Sequence, residues 1–325
     1  MGIRDLLVST VHGHPTRGIA AALATVMLLD HYARASSTGF HALVDGVTEV
    51  SAAPGQPGPV FPLSPDARVI VSGDGSTSFP SSYAVAVECG NGRVIGIGHP
   101  KLFEVTEDFD NGRFVDNILG WVTAGSGSTV IAYTTGHGEF NNAGRIAALQ
   151  SWADRFGYTL ASVDAPIGPS DLSGIAGIVV FNAWSDFTTS ELDAIEQWVL
   201  GGGGLMIGGL GWSFATYQNE NLDLYPINIL AERFGLRWIS GGVFDGTDGV
   251  NGLPIFNRFY PDAAPLHPIA ARAAIQAVHG AHGPDLPQHL ADDPALAEYF
   301  LHALHGIGTA LAEVPVASIR DDASV

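Results

Sequence analysis

Residues 177–212 limit the folds open to this chain more than any other stretch. Residues 177–183 (GIVVFNA) form a short apolar run rich in β-branched residues, which reads as a buried strand. The segment TTSELDAIEQWVL follows, with Leu192, Ile195, Trp198 and Val199 recurring on one helical face. Residues 188–190 supply an N-cap, and acidic side chains occupy the first turn, where the helix dipole stabilises them. The glycines of GGGGLMIGGLGW (residues 201–212) stop that helix, and residues 205–207 resume as a second short strand. Strand, helix and strand in so short a span make a βαβ unit, which requires a parallel sheet with a right-handed crossover. Such sheets bind ligands in the loops at the carboxyl ends of their strands.

The same alternation extends in both directions. Upstream, residues 68–72, 83–88 and 93–98 read as strands, the last two joined by the turn residues Cys-Gly-Asn-Gly. Residues 113–122 read as a helix with Phe114, Ile118, Leu119 and Trp121 on its apolar face, and Ala-Gly-Ser-Gly-Ser (124–128) reads as a linker. Beyond it come a strand at 129–134, a helix at 143–156 and a strand at 159–163. The expected fold class is therefore α/β: a doubly wound, mostly parallel sheet with an amino-terminal α/β subdomain and a helical C-terminal arm. The expected divisions are a helical leader at 1–37, the subdomain at 38–126, the main α/β domain at 127–270 and the arm at 271–325.

The order GIVVFNAWSD, helix, GGGGLMIGGLGW resembles the class I glutamine amidotransferase-like domain, which implies a flavodoxin-like sheet. In working members of that family a G-x-C-x-G turn exposes a nucleophilic cysteine. The matching turn here is Ile207-Gly208-Gly209-Leu210-Gly211, with Gly209 at the cysteine position. The resemblance thus implies a degenerate module without amidotransferase chemistry. Upstream, ALVDGV, SFPSSYAVAVECGNGRVIGIGHPKLF and NGRFVDNILGWV resemble the amino-terminal half of channel-associated factors and enhancin-like metallopeptidases. Phe79-Pro80, Gly92-Arg93, His99, Asn117, Trp121 and the later Tyr217-Gln218-Asn219 stand where that pattern has its marks, and the likeness runs from about residue 41 to 245. The family's peptidase domain carries H-E-x-x-H; this sequence has no such motif, so zinc peptidase activity does not carry over. His267-Pro268-Ile269 is similar to an element of ThuA-like relatives.

Charge narrows the partners. With 33 acidic side chains against 14 basic ones and Lys101 as the sole lysine, the chain repels phosphate backbones, so no nucleic-acid partner is expected. No apolar run reaches the length of a membrane span. The single cysteine, Cys89, excludes an intramolecular disulfide framework and sits at a turn rather than at a strand-to-helix elbow. Arg4 and Arg17, the apolar run 18–29 and Ala33-Arg34-Ala35 have the three parts of a secretory signal, but His12, His14, Asp30 and His31 fit an amphipathic or buried helix better. The cytoplasm is the expected compartment, with secretion the outcome if residues 1–35 act as a signal.

Parallel strands would bring His99, His137 with Glu139, Asn182 with Asp186, and Trp212 with Ser213 to one edge of the sheet, the candidate pocket. The first reading is a binding module for a small molecule, a glycan or a protein partner, with no cofactor or metal implied. A second is a hydrolase or isomerase using the His, Glu and Asp side chains as general acid and base. A third is a structural or assembly subunit, with homo-oligomerisation left open. Against catalysis, His99 and Asn182 could instead satisfy buried backbone groups at loop starts, and Ser213 lacks a G-x-S-x-G elbow. His279, His282 and His289 have metal-like spacing, but Gly283, Pro284 and Pro287 break the helix that would align them.

Overall fold

A computed structural model describes residues 39–52, 55–64, 66–73, 82–104, 109–243, 255–256 and 258–259. The leader at 1–37, the arm at 271–325, Phe79-Pro80 and His267, His279, His282 and His289 lie outside the described residues. The strands are β1 (Val50–Ser51), β2 (Val60–Pro62), β3 (Arg68–Ser72), β4 (Ser82–Cys89), β5 (Gly92–Ile97), β6 (Val130–Thr135), β7 (Thr159–Asp164), β8 (Gly177–Phe181), β9 (Gly204–Gly208), β10 (Leu236–Trp238), β11 (Ile255–Phe256) and β12 (Arg258–Phe259). The helices are α1 (Asn111–Val122), α2 (Ala143–Arg155), α3 (Thr189–Leu200), α4 (Gly211–Tyr217) and α5 (Pro226–Ala231).

Eight strands form one sheet in the order β12-β3-β4-β5-β9-β8-β6-β7. The block β5-β9-β8-β6-β7 is parallel throughout, and β4, β3 and β12 extend it with antiparallel pairings. β1 with β11 and β2 with β10 make two small antiparallel ribbons. The sheet runs unbroken across the 124–128 linker, because β5 from before it pairs in register with β9 from far beyond it, Arg93 opposite Gly204 through Ile97 opposite Gly208.

Both faces are covered, which is why the parallel strands read as nearly continuous apolar runs. Along β8, Val179 and Phe181 join Phe114, Ile118, Leu119, Leu149 and Trp152 of α1 and α2. Ile178 and Val180 point the other way, onto Leu192, Ile195 and Val199 of α3 and Ile227 and Leu230 of α5. Each fully buried apolar side chain of α3 contributes roughly 1.5–3 kcal/mol of transfer free energy. α3 starts with a complete capping box: the Thr188 hydroxyl accepts from Glu191 N–H, and the Glu191 carboxylate accepts from Thr188 N–H.

Several marks of the channel-associated-factor resemblance are structural. The β4–β5 hairpin turns through Gly90, whose φ of +59° suits glycine, and Cys89 pairs with Gly92. Arg93 donates to the Trp121 carbonyl at 2.7 Å and lies over that indole. Buried Asn117 donates to the carbonyls of Leu43 and Asp45, tying α1 to the loop before β1. Among the described residues no helix is long and apolar enough to cross a membrane.

Candidate functional site

Because β5, β6, β8 and β9 are parallel, the segments bearing His99, His137, Asn182 and Gly209 leave the sheet at the same edge. The side chains divide into three groups there.

His137, Glu139 and Asp186 are joined. The His137 N–H donates to Glu139 Oε2 at 2.8 Å, its ring Nδ1 donates to the Asp186 carbonyl at 3.1 Å, and Nε2 lies 3.0 Å from Glu191 Oε1. The ring packs on Phe187, and both nitrogens are taken up by acceptors. Glu191 also accepts from the Ile167 N–H and the Thr188 N–H and hydroxyl. Burial alone would raise its carboxyl pKa, but those three bonds and the His137 charge hold it below the ordinary value. Glu191 is thus the hub that binds the loop after β6, the loop after β7 and the start of α3.

His99 heads a different network. Its Nδ1 accepts from the Lys101 N–H at 2.9 Å, capping the short 3-10 helix Pro100–Phe103. Burial, with the charges of Arg145 and Lys101, pushes its pKa down to about 4 against a smaller opposing pull from Glu104. Next to it, the Glu104 carboxylate meets Lys101, Arg145 and Asn142. Burial raises the Glu104 carboxyl, yet these partners bring it below the ordinary value.

The third group surrounds the turn from β9 into α4. Asn182, fully buried with φ of +47°, accepts through Oδ1 from the Leu210 N–H at 3.0 Å and from the Tyr225 hydroxyl. Burial drives the Tyr225 hydroxyl pKa far above its usual range. At Gly209 a Cβ would lie 2.8 Å from both Cε2 and Nε1 of the buried Trp238 indole. Half-buried Trp212 donates to the Gln56 carbonyl at 3.0 Å, while the Gly55 main chain packs against His99 Nε2. Segment 55–58 therefore covers both His99 and Trp212. Ser213 is buried in the first turn of α4.

Sequence reasoning missed Glu104, Arg145, Glu191, Tyr225 and Trp238. Glu191 carried a local signal, the Thr188-x-x-Glu191 capping box, and Glu104 has a local partner in Lys101; the decisive contacts of Arg145, Tyr225 and Trp238 come from farther away in sequence. Burial, aided by Asp66 and Glu196, pushes the Cys89 thiol pKa up to about 11. Among the described residues no group of three or more His, Cys, Asp or Glu side chains is placed to hold a metal.

The fold is a doubly wound, mostly parallel α/β domain. No known family profile matches the chain. TRPM8 channel-associated factor 1 from Bos taurus is 28% identical over 175 residues, covering 53% of this chain and 16% of that protein. TRPM8 channel-associated factor 2 from the same species is 26% identical over 220 residues, covering 66% and 20%. The chain spans a fifth or less of the length of these relatives, and the similarity marks a related fold. Among solved structures, the IMPa metallopeptidase from Pseudomonas aeruginosa aligns with 93% of this chain and 38% of its own, at 13% identity and a TM-score of 0.48. Its complex with an O-glycopeptide aligns with 75% and 27%, at 14% identity and a TM-score of 0.44.

Proposed function

We propose that this chain is a catalytically degenerate, amidotransferase-like module that binds a small molecule, a glycan or a protein partner at the carboxyl edge of its sheet. The carrying observation is the elbow at Gly209. The position lacks a nucleophile, and the Trp238 indole occupies the space where a side chain would begin. A second point agrees. In related elbow chemistry the N–H after the nucleophile stabilises the oxyanion; here that N–H belongs to Leu210 and is engaged by Asn182 and Tyr225. The histidines give the rival hydrolase or isomerase reading little support, since His137 has both ring nitrogens engaged and His99 is covered by Gly55. The names of the relatives, which associate them with a channel, support a protein among the candidate partners. The test is incubation of purified protein with glutamine and with a simple chromogenic ester. No turnover above a heat-denatured control is expected; sustained turnover would refute the degenerate reading.

A further inference from the structure

The winding of the sheet changes direction between β6 and β8. After β6 the chain packs α2 on one face, and after β8 it packs α3 on the other. Pairing between the two strands stops at Tyr133 opposite Val179. Yet β6 stays paired to β7 through Thr135, and β8 to β9 through Phe181. The strand ends therefore part, at the point where doubly wound sheets open a crevice. The chain plugs this gap with its own loop: the Phe140 N–H donates to the Phe181 carbonyl at 2.8 Å, and Asn141 Nδ2 to the Thr134 carbonyl at 2.7 Å.

The plug leaves the gap poorly satisfied. Eight buried side-chain polar atoms among the described residues have no hydrogen-bond partner, and six belong to segments 134–145 and 182–184, which follow from the ends of β6 and β8. They are Thr134 Oγ1, Glu139 Oε1, Asn141 Oδ1, Arg145 Nε, Asn182 Nδ2 and Trp184 Nε1. Thr134 and Asn182 are wholly buried and Arg145 nearly so. Such atoms are costly to leave desolvated and unpaired, and six of the eight fall in the segments that leave the ends of β6 and β8. With Phe140 and Asn141 moved aside, the gap presents three donors (Arg145 Nε, Asn182 Nδ2 and Trp184 Nε1), the Thr134 hydroxyl, and the Thr134 and Phe181 carbonyls that the loop had held, so the partner must offer both donors and acceptors. The Arg145 charge is already matched by Glu104, so no free cation awaits an anion. Trp184, against which Phe140 packs edge to face, supplies an apolar wall.

Building on the reading of the carboxyl edge as a binding surface, we propose that the gap between the ends of β6 and β8 is a site for a neutral, hydroxyl-rich molecule of monosaccharide size. It enters by displacing Phe140 and Asn141. Gly136 and Gly138, with φ of +103° and +66°, flank His137 at the start of this loop and give it the backbone freedom to withdraw while His137 stays anchored.

The experiment is calorimetric titration of the full chain with D-glucose, D-galactose and myo-inositol, with glucose 6-phosphate as the charged control. Saturable binding of at least one neutral probe is expected, weaker for the phosphate. Thr134→Val should weaken it about tenfold or more, while Tyr217→Ser, on the exposed end of α4, should bind as wild type. Because Thr134→Val removes an unpaired hydroxyl, the free variant should unfold at the wild-type temperature or above, which separates lost binding from lost folding. Absence of saturable binding by all three neutral probes overturns the proposal. So does binding that survives Thr134→Val but is lost in Trp212→Phe, a result that would move the site along the edge. Neither depends on the turnover assay that tests catalytic degeneracy.

Discussion

Replacing Gly209 by alanine tests whether the elbow is built around the absence of a side chain. Gly209 does not use a left-handed backbone, so in open space alanine would stabilise the fold by about 0.4–1 kcal/mol through reduced freedom of the unfolded chain. The space is not open. The new Cβ would lie 2.8 Å from Trp238 Cε2 and Nε1 and 3.0 Å from Cδ2, all ring atoms rather than a flexible tip. Nor is Trp238 free to yield. It is fully buried, its N–H donates to Asn228 Oδ1 at 2.7 Å, its carbonyl accepts from Asn228 Nδ2 at 2.9 Å, and its indole N–H reaches the Ile97 carbonyl at 3.3 Å. Overpacking of this kind costs about 1–3 kcal/mol. The net expectation is a loss of about 1–2 kcal/mol, or roughly 2–8 °C in Tm, read by urea and thermal unfolding. In a Trp238→Leu background the same change should cost nothing or stabilise slightly, so the two sites should couple strongly in a double-mutant cycle. A Gly209→Ala variant more stable than wild type, or equal costs in both backgrounds, would refute the reasoning.

Gly209→Cys should release no ammonia from glutamine above background, because the Leu210 N–H is engaged and neither nearby histidine is placed as a free base; ammonia release by the folded variant would contradict this. Glu191→Ala should cost about 3–5 kcal/mol, since it strands His137 and the Ile167 and Thr188 N–H groups in a buried site, and chemical denaturation would show it as a lowered midpoint. His99 gives a pH signature. Its folded pKa of about 4 lies below the ordinary 6.5, so its contribution is complete above 6.5 and is lost as pH falls toward 4, up to roughly 3 kcal/mol. His99→Asn keeps an N-cap acceptor for the Lys101 N–H but cannot titrate, and its stability should fall less than that of wild type between pH 7 and 4.5.

Local chemistry was legible in the chain itself. The β8-α3-β9 unit, the β4–β5 hairpin, the capped start of α3 and the helix at 111–122 all follow from periodicity, turn glycines and caps, which act within a few residues. Those signals also implied parallel strands, and with them a common edge for His99, His137, Asn182 and Gly209. What they could not set was which strands become neighbours. β5 lies beside β9 because its apolar faces complete both cores there, an arrangement no local pattern encodes. The site residues show the same divide. The glycine at position 209 is visible in the sequence, but the indole that packs where its side chain would begin comes from Trp238 and arrives only when β10 pairs with β2. Likewise the pattern shows Glu191 as a helix cap, while its bond to His137 exists only once the loop after β6 folds over α3. The sequence determined the elements and the edge they share; long-range packing decided what each side chain at that edge meets, because those contacts join segments that no short-range signal relates.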